Sequence, residues 1–272
     1  MTKTLAQIRD TLELTLSLET GDSYIDSQTE LDDLQQAYQA TADLYDFPHL
    51  MRRYGIVLVA NLDRYALPAT LRKIRYAKLQ GIKIFETELE FLNYSHNRYA
   101  IDQQQGDIIL KPIPTTASTA YTLSNAEAAG NAQTIELSSV SGLTQYEEIF
   151  VKAASLVDEF TIVSSIDSTN TTITARLDSA KSASDIIYRA SEILDILGYR
   201  TVPVLANASD TLLLPDAFDF VIPHYAAMLA YQRLEIFDRA DKQKEIWTER
   251  ARQAFLAYDK NSTGEVTQFS IA

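Results

Sequence analysis

The chain has 272 residues, 46% of them hydrophobic, enough to bury a substantial core as one large domain or two smaller ones. It contains no cysteine, which excludes a disulfide framework, a thiolate metal site and a cysteine nucleophile, and fits synthesis in a reducing cytosol. Thirty-seven Asp and Glu against 24 Lys and Arg give a formal charge of −13, which argues against tight binding of phosphate backbones. Two readings of that charge remain: plain solubility, or a surface that faces nucleic acid without adhering to it.

The opening MTKTLAQIRDTLELTLSL has no continuous apolar core followed by a small-residue cleavage site, and no run approaches the roughly 18 apolar residues of a membrane span. The expectation is a soluble chain without a signal peptide. Leu5, Ile8, Leu12 and Leu16 form one apolar stripe and predict a first amphipathic helix. Ser27 and Glu30 have capping-box spacing, and Leu31, Leu34, Tyr38, Ala42 and Tyr45 continue a stripe over a second helix that Pro48 ends.

From Tyr54 the texture changes. YGIVLVANLDRYALP is rich in β-branched and aromatic residues and reads as a strand, and LRKIRYAKLQGIKIF reads as a hairpin turning at Gly81. Thr87 and Glu90 repeat the capping-box spacing ahead of a short helix. RYAIDQQQGDIILKPIP then reads as two strands around Gly106, ended by Pro112 and Pro114.

Residues 116 to 192 are rich in Ala, Ser, Thr and Asn, with no Pro and two Gly. QTIELSSV, EEIFVKA, FTIVSSI, TTITARL and DIIYRAS recur there at a spacing of roughly 12 residues, which predicts a compact inserted all-β module. ILDILGYRTVPVLA rejoins the earlier sheet. After Pro215 a long helical region runs to about Tyr258, carried by Phe218, Val221, Ile222, Tyr225 and Leu229 and then by Trp247, Ala251, Phe255 and Tyr258, with Pro223 expected to kink or divide it. KNSTGEVTQFSIA has turn formers and a weakly β-like end, expected to be disordered in isolation.

Catalytic signatures are sparse. His49, His96 and His224 show no metal-ligand spacing and sit among aromatic or apolar neighbours, which favours structural roles. Glu86, Glu88 and Glu90 suggest paired acid–base carboxylates only weakly, because alternating acids at a strand-to-helix junction suit a solvated edge. No phosphate loop or nucleophile elbow occurs. Tyr is frequent, at 15 copies, and the cluster YSHNRYAID invites comparison with base- or sugar-stacking sites, although core and interface packing explains it more simply.

A Leu–Pro pair precedes a structured segment twice, at Leu67-Pro68 and Leu214-Pro215. Two N-terminal helices, DLYDFPHLMRRYGIVLVANLDRYALPATLRKIRYAKLQGIKI, the return YAIDQQQGDIILKPIPTTAS, and the segment DTLLLPDAFDFVIPHYAAMLAYQRLEIFDRADKQKEIWTERARQAF together resemble the head-to-tail adaptor, or connector, proteins of tailed bacteriophages. The resemblance covers about residues 3 to 115 and 195 to 260. It implies an adaptor core with a helical bundle of N-terminal helices and long C-terminal helices and a small antiparallel sheet. The all-β module predicted at 116 to 192 is an insertion that is not part of the family's minimal fold and resembles the sandwich or barrel decorations of virion proteins; with it, the expected class is α+β. In this scheme residues 1–115 and 193–260 form the adaptor core, and Pro68, Gly81 and Pro215 punctuate it, the two prolines marking re-entries into one helical core.

The resemblance further implies a structural virion protein at the neck, assembled in the host cytoplasm. It would form a ring of about twelve copies beneath the portal protein, contact tail or neck proteins, and let genomic DNA pass through its lumen without specific binding. Residues 261–272 would engage the portal or a neighbouring subunit through Val266, Phe269 and Ile271. No catalytic residue, cofactor, metal or membrane partner is expected. The alternatives are a ligand- or glycan-binding virion module acting through the β-insertion, another neck or tail-completion protein, and, weakest, a glycan-degrading enzyme using Glu86 or Glu90.

Overall fold

The computed structural model describes residues 3–16, 27–94, 96–154 and 157–261. The chain divides into two compact units, one built from Met1–Met51 with Tyr199–Ala272 and the other from Arg52–Gly198.

The first unit is helical. Helices α1 (Leu5–Leu16) and α2 (Ser27–Asp43) come from the start of the chain, and α3 (Ile222–Arg233) and α4 (Phe237–Asn261) from its end. Helix α3 packs against the other three. That position explains its sequence: Ile222, Ala226, Ala227, Met228, Ala230 and Tyr231 are buried around most of its circumference, and the alanines let neighbouring backbones approach. Leu5, Ile8 and Leu12 of α1, Leu34 and Tyr38 of α2, and Trp247 and Ala251 of α4 complete one core. Pro223 occupies the first turn of α3, where its missing N–H costs nothing, so it starts the helix and does not kink it. The helical run breaks instead at Glu235, whose φ is +59°. Glu30 is buried, and its carboxylate receives Arg9 Nη2 at 2.6 Å, tying α2 to α1.

The second unit is β. A seven-stranded sheet uses β1 (Met51–Ile56), β2 (Arg64–Ala66), β3 (Leu71–Leu79), β4 (Ile82–Glu86), β5 (Arg98–Asp102), β6 (Asp107–Lys111) and β13 (Leu194–Arg200) in the order β1-β13-β3-β4-β5-β6-β2. A six-stranded sheet uses β7 (Ala120–Thr122), β8 (Gly130–Glu136), β9 (Glu148–Lys152), β10 (Glu159–Asp167), β11 (Thr172–Leu177) and β12 (Ile186–Arg189) in the order β7-β12-β9-β10-β11-β8. Both sheets are curled. In the smaller one the edge strands are bridged at Leu123 and Leu137, with Ser124 N–H donating to Glu136 C=O and Ser138 N–H to Thr122 C=O, both at 2.9 Å. Its interior is filled by Leu123, Ile135, Ile149, Val151, Val163, Ile173 and Ile187.

These findings overturn the expected fold class. The described chain is mostly β, with thirteen strands in two curled sheets and only four α-helices, and is not a helical bundle carrying a small sheet. Nor is the larger sheet purely antiparallel, because β4 and β5 pair in parallel. The physical reason is non-local pairing: β13, more than a hundred residues beyond β3, enters between β1 and β3 and enlarges a sheet that local patterns present as isolated hairpins. Pro68 accordingly does not return the chain to a helical core. It closes a turn through Leu71 N–H to its own carbonyl at 2.8 Å and leads into β3.

Candidate functional site

The three histidines stay apart from any shared chemistry. His49 and His96 are exposed. His224 is buried, its Nδ1 lies 2.8 Å from Gln243 Oε1, and burial pushes its pKa below the usual imidazole value. Among the described residues no group of three or more His, Asp or Glu side chains is arranged to hold a metal.

Glu86, Glu88 and Glu90 are all exposed around the end of β4 and the 3-10 turn Leu89–Tyr94. Glu86 and Glu88 line a groove with Thr87, Leu89, Phe91, Ile101 and Gln103. Tyr99 turns inward and donates to Glu86 Oε2 at 3.4 Å; burial first, and then the Glu86 charge, raise its pKa. Nearly all the described tyrosines spend their rings on cores, as Tyr38, Tyr45, Tyr65 and Tyr121 do, whereas Tyr146 is 75% exposed.

Gly81 completes the β3–β4 turn with Gln80, at φ +79° and +49°. Pro215 accepts Phe218 N–H at 2.8 Å ahead of α3. Pro68 and Gly81 belong to the β unit and Pro215 to the helical one. Val266, Phe269 and Ile271 lie outside the described residues.

What the sequence reading missed is a charged joint between the two sheets of the β unit. Arg53 on β1 donates Nε and Nη2 to the two oxygens of Asp195 on β13, each at 2.8 Å, and also reaches Glu148 on β9, with Nη2 2.7 Å from Oε2. Its guanidinium lies 3.8 Å over the Phe160 ring. Burial works against the Arg53 charge, yet the hydrogen bonds to Glu148 and Asp195 outweigh it and raise the pKa. Arg189 similarly bridges Glu147 at 2.5 Å and Glu192 at 3.0 Å. Ser118 Oγ accepts Leu58 N–H at 2.9 Å and donates to Glu192 C=O at 2.8 Å. Beside these groups, Gly55 lets β1 approach Phe150, where a Cβ would fall 2.7 Å from the ring. The charges at this joint are satisfied by one another, so its chemistry is that of a bracket.

A second feature runs along the seven-stranded sheet from the joint itself, where Lys78 lines a pocket with Arg53, Glu147, Glu148 and Asp195. Register places Lys78 opposite Lys83, Phe85 beside Arg98, and Arg98 opposite Lys111, a cationic row across β3, β4, β5 and β6. Phe85 is 49% exposed, with Lys83 Nζ 5.2 Å and Arg98 Cζ 5.4 Å from its ring centroid. None of these four cations has an ion-pair partner among the described residues. Like charges placed directly opposite across strands are destabilising, so the row is maintained against a local cost. One signal in the sequence points to it: residues 52 to 111 hold ten Lys and Arg against six Asp and Glu, net +4 in a chain of −13.

The helical unit has its own exposed apolar surface at the α3–α4 corner, where Leu234, Ile236 and Phe237 are 37%, 38% and 60% exposed. Comparison with known proteins adds no identity: no protein-family model matches the chain, and no curated protein matches it.

Proposed function

We propose that the chain is a structural assembly protein, a ring-forming adaptor at the head-to-tail junction of a tailed bacteriophage. The observation that carries this reading is that some of its large apolar side chains are exposed in groups, Leu234, Ile236 and Phe237 at the α3–α4 corner and Leu89 and Phe91 in the groove beyond β4. Grouped exposed apolar residues mark surfaces that a partner covers. The resemblance of its sequence phrases to connector proteins suggests the kind of partner: portal protein, tail or neck proteins, and copies of the same chain. The acidic balance suits a lumen through which genomic DNA passes without adhering. Saturated polar joints such as Arg53–Asp195–Glu148 fit a part whose task is to hold geometry.

Co-sedimentation with portal rings from the genome that encodes the chain tests the proposal. The wild type is expected to sediment with the rings, and the Leu234→Asp, Phe237→Asp double variant to bind markedly less while keeping its melting behaviour. A folded wild-type chain that stays in the supernatant at every concentration contradicts the proposal.

A further inference from the structure

We propose that the cationic row on the seven-stranded sheet docks the outward face of α1 from a second copy of the chain. The proposal rests on the assembly reading and names the contact by which one copy meets the next.

The row offers Lys83, Arg98 and Lys111 with the half-exposed Phe85 among them, while Lys78 at its inner end lines the pocket of Glu147, Glu148 and Asp195. Its complement is on the same chain. Residues 1 to 51 hold ten Asp and Glu against two Lys and Arg, net −8. Within that stretch Asp10, Glu13 and Leu14 are exposed at helical spacings of three and four, so they share one face of α1. Leu14 is 80% exposed, a large apolar side chain flanked by acids, as Phe85 is flanked by cations. Arg9, the cation nearest this face in sequence, is already committed to Glu30.

The two faces therefore complement each other in charge and pair one exposed apolar side chain with another, and two different patches meeting give a head-to-tail contact, which makes a ring where the rotation closes. A free polyanion is the less favoured occupant, because outside residues 52 to 111 the chain carries 31 acidic against 14 basic residues and repels it. Salt should loosen the contact, since its rim is exposed.

The absence of cysteine makes a direct test clean. Full-length Leu14→Cys and Phe85→Cys variants, one of them tagged, are mixed under mild oxidation and the mixed disulfide is quantified. A Val204→Cys and Phe85→Cys mixture serves as the control, since Val204 is 77% exposed elsewhere on the helical unit.

The expected result is severalfold more mixed disulfide from Leu14→Cys than from the control, lost when Lys83→Glu and Arg98→Glu are added to the Phe85→Cys chain. It should be regained when Asp10→Lys and Glu13→Lys are then added to the Leu14→Cys chain. Mixed disulfide no higher than the control overturns the proposal. So does cross-linking that ignores the charge reversals while those reversals abolish retention of a single-stranded oligonucleotide, which would assign the face to nucleic acid. A chain that docks on portal rings without the Leu14–Phe85 cross-link keeps the adaptor reading and loses this one.

Discussion

The helical and β units bury charge in opposite ways. In the helical unit Asp33 is 1% exposed and takes Arg233 on Oδ1, but its Oδ2 has no hydrogen-bond partner among the described residues; Asp219 takes Lys3 N–H at 2.9 Å on Oδ2 and likewise leaves Oδ1 without one. In the β unit Asp185, equally buried, accepts Ala154 N–H at 2.9 Å, Ser182 N–H at 3.0 Å and the Ser182 hydroxyl at 2.8 Å. Lys181, whose side chain is fully buried, reaches Val157 C=O, Ser179 Oγ and Glu159 Oε2 at 2.9, 2.8 and 3.0 Å. Helical backbone N–H groups are already spent within the helix, whereas loops between strands keep theirs available for a carboxylate. The pKa directions follow: burial pushes Asp33 up to about 6 and also raises Asp219, while for Asp185 burial is outweighed by the N–H and hydroxyl bonds and the pKa falls.

The sharpest way to break this contrast is Lys181→Ala, which removes the buried cation and leaves the Glu159 carboxylate with only Asp178 N–H and the Ser179 N–H and hydroxyl as donors. A cost of about 3–5 kcal/mol is expected from urea melts, and a loss near zero would show that the β unit does not depend on its buried pair. Next comes Gly55→Val, which drives a side chain into the Phe150 ring; about 1–3 kcal/mol is expected, and Phe150→Leu in the same chain should recover part of it.

The pH dependence separates the units further. For Asp33 the unfolded chain ionises first, near the usual 3.8, while the folded chain holds its proton to about 6, so folded stability falls as pH rises between those values. Asp33→Asn removes that slope. Relative to wild type it should gain on the order of 1 kcal/mol between pH 4 and pH 7, after discounting for solvent around the half-exposed Arg233. Asp185→Asn has the opposite sign: the native carboxylate stabilises above its unfolded pKa and loses that contribution as pH falls through its lowered folded value, so the variant is penalised at pH 7 and least different from wild type in acid. Parallel pH slopes for the two variants would refute the contrast. The smallest effect belongs to Arg252→Ala, which removes an exposed pair with Glu249 on α4 and should leave the melting curve unchanged.

Local patterns revealed elements well and assembly poorly. The stripe of Leu5, Ile8, Leu12 and Leu16 is buried as its spacing predicts, and Gly81 and Gly106 turn hairpins at positive φ. Glu30 has capping-box spacing from Ser27, but its carboxylate meets Arg9, a partner on another helix that no local rule supplies. Strand β7, three residues in a Ser-, Thr- and Ala-rich stretch, has too short a pattern to see. The proportion of sheet was underestimated because β13 pairs far from its neighbours in sequence. For the same reason the cationic row shows in the sequence only as a basic excess over residues 52 to 111, because Lys78, Lys83, Arg98 and Lys111 become neighbours only through cross-strand register.

The most direct test of the assembly reading is electron microscopy of the purified chain mixed with portal rings from the same genome, with the mass of the complex measured in parallel. The account predicts a closed ring of added density coaxial with the portal, with a mass corresponding to a whole number of chains. Bare portals beside free, folded chain would contradict it.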